Sequence, residues 1–170
     1  MDRFDDSPEQ ALAFHRAGKG AALATVVETW GSAPRRAGAQ LVVAGDGTMM
    51  GSVSGGCVEG AVVVEALEAL EDGRTRLLEY GVSDGDAFAV GLACGGTIKV
   101  LVEPIGPEAL PLEMLRELVA KRTSRQAVAY EVALDGSTRH LTQDGHSDRF
   151  RRDRSGVEED SGRFIVIHNP

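Results

Sequence analysis

The sequence predicts an α+β protein: a mixed or antiparallel sheet with packed helices and no Rossmann domain in this chain. Three observations carry that expectation. Short apolar runs bounded by glycine are interspersed with segments whose apolar residues recur at spacings of three and four. Asp46-Gly47 and Asp135-Gly136 each sit between two such runs and read as hairpin turns, which make antiparallel neighbours. No Gly-x-Gly-x-x-Gly follows a strand and no Walker-type loop is present, so no dinucleotide fold is encoded here.

The elements follow in order. Ser7-Pro8-Glu9-Gln10 reads as a helix start, with Ser7 as cap, Pro8 in the first turn and Gln10 completing a capping box. Gly18 and Gly20 end that helix. Ala21 to Trp30 is rich in Ala, Val and Thr and predicts a strand, Ala39 to Ala44 a second and Met49 to Val53 a third. Val58 to Glu71 predicts a helix stopped by Asp72-Gly73. Strands are expected over Arg74 to Tyr80 and Thr97 to Pro104. Glu103-Pro104-Ile105-Gly106-Pro107 marks a boundary between a domain over 1–106 and an appendage over 107–170. The appendage should contain a helix over Glu108 to Arg122 and a hairpin of Ala127 to Leu134 with Ser137 to Thr142. Residues 143–162 are charged and polar and are expected to be mobile. Phe164-Ile165-Val166-Ile167 is a last apolar run that needs a partner, and the 127–142 hairpin is the nearest one.

Composition excludes several classes. Of 170 residues 42% are hydrophobic, enough for a core. The net charge of -8 argues against a general nucleic-acid binder, because phosphate would be repelled over most of the surface. Two cysteines cannot build a disulfide framework, the N-terminus is acidic, and no apolar run reaches the ~18 residues of a membrane span. A soluble protein of a reducing cytoplasm is expected, with no membrane contact.

Three glycine-bearing segments carry candidate chemistry. Gly51-Ser52-Val53-Ser54-Gly55-Gly56-Cys57-Val58-Glu59 runs from strand through a glycine turn into a helix N-terminus. Unpaired amides and the helix dipole make such a turn an anion cradle and favour thiolate at Cys57; a buried cysteine beneath a tight turn would explain the same residue. Gly91-Leu92-Ala93-Cys94-Gly95-Gly96 places a second cysteine in a second glycine cluster. Converging on one pocket, Cys57 and Cys94 would offer soft sulfur ligands to a soft or redox-active metal. Trp30-Gly31-Ser32-Ala33-Pro34-Arg35-Arg36-Ala37-Gly38 adds two arginines suited to phosphate, or simply a charged loop. Glu59 complements the helix dipole. His15 reads as packed, and His140, His146 and His168 show no metal-ligand spacing.

Read together, these three segments resemble the XdhC/CoxI family of xanthine dehydrogenase accessory factors, over roughly residues 8 to 105. The resemblance implies a maturation chaperone that holds the molybdenum cofactor (molybdopterin) during sulfuration and passes it to an apo-molybdenum hydroxylase of the xanthine dehydrogenase class. It also implies contact with a cysteine desulfurase. It implicates a cysteine in holding the cofactor, and Cys57 and Cys94 are the positions that match; with the residue chemistry above, the candidate cofactor-binding residues are Ser32, Arg35, Arg36, Ser54, Gly55, Gly56, Cys57, Glu59, Cys94, Gly95 and Gly96, with Cys57 and Cys94 as the candidate metal ligands. Such proteins typically continue into a C-terminal Rossmann-like domain. Here that domain is expected on a separate polypeptide, or the chain is a truncated one. A homo-oligomer is also expected. The alternative from another class is a thiol enzyme or sulfur carrier using Cys57; no His or Asp is convincingly tied to that thiol as a general base, which favours binding over turnover.

Overall fold

The first strand, β1 (Ala21–Trp30), organises the molecule, because seven consecutive residues from its start are buried on both faces. The computed structural model describes residues 6–31, 35–56, 58–81, 96–142, 156–158 and 162–168. Around β1 are α1 (Ser7–Arg16), β2 (Gln40–Ala44), β3 (Met49–Gly51), α2 (Glu59–Asp72), β4 (Arg76–Gly81), β5 (Thr97–Pro104), α3 (Leu112–Thr123), β6 (Val128–Ala133), β7 (Arg139–Thr142), β8 (Gly156–Glu158) and β9 (Arg163–His168). The strands form two sheets, in the orders β3-β2-β1-β5-β4 and β7-β6-β9-β8. Every pairing between these strands is antiparallel. The fold is thus α+β with antiparallel sheets, and no Rossmann-like parallel sheet occurs among the described residues.

Each face of the five-stranded sheet has its own cover. On one face α2 sets Val62, Ala66 and Ala69 against Ala22, Ala24, Val26, Leu41, Val43, Ile98, Val100 and Val102. Alanines on both sides let helix and sheet approach closely. On the other face Leu23, Val27, Val42 and Leu101 meet Leu12 of α1, Leu115 of α3, and Tyr130, Val132, Phe164 and Val166 of the second sheet. The C-terminal apolar run is β9. It pairs with β6 in register Val128↔His168 to Ala133↔Arg163, as its proximity to the hairpin suggests.

Several boundaries differ from the sequence-based ones for identifiable reasons. The N-cap of α1 is Asp6, without a side-chain cap bond, and Ser7 is a buried first-turn residue. The third helix begins at Leu112, not Glu108, because Pro111 holds an extended backbone at the N-cap and disfavours helix in the residue before it. Residues 105–110 instead form a turn closed by Gly106 N–H to Leu110 O at 2.9 Å. Within the polar 143–162 stretch, Gly156–Glu158 pairs with β9 as an edge strand, which needs backbone rather than apolar side chains; the rest of that stretch, apart from Gly162, lies outside the described residues.

A polar network fastens α1, α3 and β9. Arg122 Nε donates to Glu9 Oε1 at 2.7 Å, and Arg122 Nη1 lies 2.7 Å from His168 Nδ1. A guanidinium has only donors, so Nδ1 accepts and the imidazole proton sits on Nε2. Burial, helped by the charge of Arg122, holds His168 down at about 3. Its folded value lies below the ordinary 6.5, so stability is full above that pH and is lost as pH falls from 6.5 towards 3. Denaturant melts from pH 7 to pH 4 should therefore lose about 1 kcal/mol per unit from this residue. A His168→Asn variant, which can still accept from Arg122, should show a shallower slope; an unchanged slope would assign the acid loss elsewhere.

Candidate functional site

All three glycine-bearing loops leave the same end of the five-stranded sheet. The register puts the end of β1 beside the start of β5, with Trp30↔Thr97, and the end of β4 beside the same position, with Gly81↔Thr97. The end of β3 lies beside the start of β2, with Leu41↔Gly51. Segments 31–39, 52–58 and 82–96 therefore depart from or return to that one end. Two of their roots touch: a methyl group on Gly31 would lie 3.5 Å from the Gly96 Cα. Gly51 roots the third. Its φ is +96°, and a Cβ there would collide with the Gln40 carbonyl oxygen, so only glycine lets β3 end so close to β2.

The 52–58 loop is organised around Glu59. Its Oε2 accepts from the Ser52 hydroxyl at 3.1 Å and from the Val53 and Ser54 amides at 3.0 Å each. Its Oε1 accepts from the Gly56 amide at 2.9 Å and from the Ser54 hydroxyl. The residue is 5% exposed. Burial alone would push its carboxyl up, but the Ser54 hydroxyl and amide, then the Val53 amide and Ser52, hold it down at about 2. It is a carboxylate at any physiological pH, with both oxygens engaged. Gly55 and Gly56, at φ +73° and +111°, carry the chain round the outside of this knot and are exposed.

Arg35 is half-buried and Arg36 exposed on the 31–39 segment, which turns back along β1 through Gly38 N–H to Val26 O at 2.7 Å. A β-bulge between Val26 and Glu28 reverses the facing of the end of β1. Trp30 consequently shares the face of Thr97, the face opposite α2, and is 74% exposed. Of the residues expected at the site, Ser54, Gly55, Gly56 and Glu59 form one knot, Arg35 and Arg36 share one segment, and Gly96 abuts Gly31. Ser32, Cys57, Cys94 and Gly95 lie outside the described residues. Among the described residues no three His, Cys, Asp or Glu side chains gather as a metal site.

One buried cluster was not anticipated. Glu103 of β5, 1% exposed, accepts from the Tyr130 hydroxyl at 2.5 Å and from Arg139 Nε at 2.8 Å. Arg139 also donates to Gly136 O at 3.0 Å and to Thr75 Oγ1 at 2.6 Å. The signal in the sequence is a carboxylate inside the apolar strand 97–104, on the facing shared with Leu101, which requires a cation brought from elsewhere.

The fold and these loops define an antiparallel α+β domain with its glycine-rich connections gathered at one sheet end. The chain carries a domain of the XdhC and CoxI family, matched over residues 14–81. It is 43% identical over 105 residues to the molybdenum cofactor insertion chaperone PaoD of Escherichia coli (strain K12), covering 62% of this chain and 33% of PaoD. It is 35% identical over 131 residues to a protein of Bacillus subtilis (strain 168) described as a probable xanthine dehydrogenase component, covering 74% of this chain and 38% of that protein. The chain thus spans little more than a third of the length of these relatives. A crystal structure titled as a xanthine dehydrogenase of Bacillus halodurans shares the fold, with a TM-score of 0.70 at 24% identity over 96% of this chain and 53% of that one. Among the described residues no helix is long and apolar enough to cross a membrane.

Proposed function

We propose that this domain is a maturation factor that holds the molybdenum cofactor, as cargo, at the loop-bearing end of the five-stranded sheet and hands it to a xanthine dehydrogenase-type molybdenum hydroxylase. The observation that carries this reading is the departure of all three family-like loops from that single end. The similarity to a molybdenum cofactor insertion chaperone supports it. In this reading Arg35, Arg36 and Ser32 take the phosphate of the cofactor, and Gly55, Gly56, Gly95 and Gly96 let the backbone approach its pterin. Cys57 and Cys94 supply soft sulfur to the molybdenum. Ser54 and Glu59 build the loop instead of touching the metal. Residues 1–106 are the holding unit, and α3, β6 and β9 of the 107–170 appendage buttress the sheet face opposite α2.

Binding is favoured over turnover by a specific observation. Glu59, the carboxylate at the root of the 52–58 loop, has both oxygens committed to hydrogen bonds and is no general base for a thiol. A cytoplasmic location, a cysteine desulfurase that sulfurates the cargo and self-association complete the proposal. The test is retention. Purified protein incubated with cofactor released from a molybdoenzyme should elute from gel filtration with stoichiometric molybdenum and pterin, and Cys57→Ser or Cys94→Ser should weaken that retention. Elution without cofactor, combined with thiol-dependent turnover of a sulfur-transfer substrate, would favour a thiol enzyme using Cys57.

A further inference from the structure

We infer that Glu59 is a built-in anion: its carboxylate fills the nest formed by the Val53, Ser54 and Gly56 amides, so those amides are closed to an external phosphate. A strand, two glycines and a helix N-terminus ordinarily attract an external anion, because several amides converge with nothing to accept from them. Here the acceptors are internal. The amides of Val53, Ser54 and Gly56 go to Glu59, that of Gly55 to Ser52 Oγ at 2.9 Å, that of Val58 to Ser54 Oγ at 2.9 Å, and that of Ser52 to Gln40 O at 3.1 Å. Every described amide from Ser52 to Val58 is therefore spent. A second anion would have to displace a buried carboxylate, or share the nest with it against like-charge repulsion. What the loop still offers outwards is Gly56, whose missing side chain would meet nothing within 4 Å.

Glu59 is on this account a positioning residue that also sets specificity. Its consequence for the cargo rests on the cofactor-holding reading. The phosphate must be taken by the arginines of the 31–39 segment, while the 52–58 loop meets an uncharged part of the cofactor. The same geometry removes the basis for expecting this turn to behave as an open phosphate cradle.

The test uses inorganic phosphate and formate as probes. In wild-type protein, a phosphate titration followed by amide NMR should leave Val53, Ser54 and Gly56 unshifted, and those amides should respond to pH only near 2, where Glu59 protonates. Glu59→Ala should melt lower, and formate should recover most of that loss while leaving wild-type melting unchanged against a chloride control. Glu59→Gln, which keeps the shape without the charge, should show a smaller loss and no rescue. Phosphate shifting those three amides in wild-type protein would overturn the inference, as would a formate response equal in wild type and Glu59→Ala. The NMR arm stands even if the alanine variant fails to fold. Cofactor retention is measured separately: wild-type protein that binds no cofactor sinks the cargo reading alone, and the phosphate result then still decides whether the nest is filled.

Discussion

Deleting residues 163–170 is expected to abolish the cooperative melting transition and drive the protein into aggregates. β9 lies between β6 and β8, so its loss strips the ladder from both. Phe164 and Ile165 are fully buried, and Phe164 and Val166 fill the core on the face of the five-stranded sheet away from α2. Truncating Phe164 to alanine alone should cost about 3–5 kcal/mol, a large share of the roughly 5–15 kcal/mol that holds a domain folded. The whole strand is worth more than that, and its removal uncovers Leu23, Val27 and Leu101. Circular dichroism melts and gel filtration of the deletion variant check this. Unchanged melting and solubility would show that this face needs no cover from β9.

Replacing Arg139 by alanine is the second large effect, an expected loss of about 3–5 kcal/mol by denaturant titration. Arg139 has a side chain 6% exposed, and its partner Glu103 is 1% exposed. Removing the cation leaves a buried carboxylate held by the Tyr130 hydroxyl alone. Burial already pushes Glu103 above its ordinary value against the pull of Arg139, and without that pull it rises further. A folded value raised above the unfolded one favours the fold at low pH and loses that advantage as pH rises. The variant should therefore be less impaired at pH 5 than at pH 8. Adding Glu103→Gln should restore part of the loss and flatten the pH dependence. A loss below about 1 kcal/mol, as for an exposed pair, would show that water reaches the cluster.

Much of the architecture was legible because it rests on local signals. Thr97–Pro104 is a strand as read, since a run of apolar and β-branched residues after glycine leaves little choice. Gly73 stops α2 in the left-handed conformation, as its position after Asp72 suggests. The pairing of β9 with β6 followed from apolar area needing cover nearby. The helix expected from Glu108 starts instead at Leu112, because Pro111 is extended at its N-cap and disfavours helix in the residue before it. Gly156–Glu158 was missed because an edge strand is specified by the neighbour it pairs with.

The candidate site divides along the same line. Its ingredients are sequence-local: glycines where the chain must turn, arginines for phosphate, and a carboxylate in the first turn of a helix. By itself the sequence determined the α+β class, most element boundaries, the three loops and the family they resemble, because each depends on residues within a few positions of one another. Only the tertiary structure decided that the three loops share one end of a sheet, since that follows from the strand order β3-β2-β1-β5-β4 and its register. It alone decided that the anion of the 52–58 nest is Glu59 and that Glu103 meets Arg139 across 36 positions. Burial turns such polar groups into obligate partners, and burial is a property of what the rest of the chain covers, which no local stretch of sequence records.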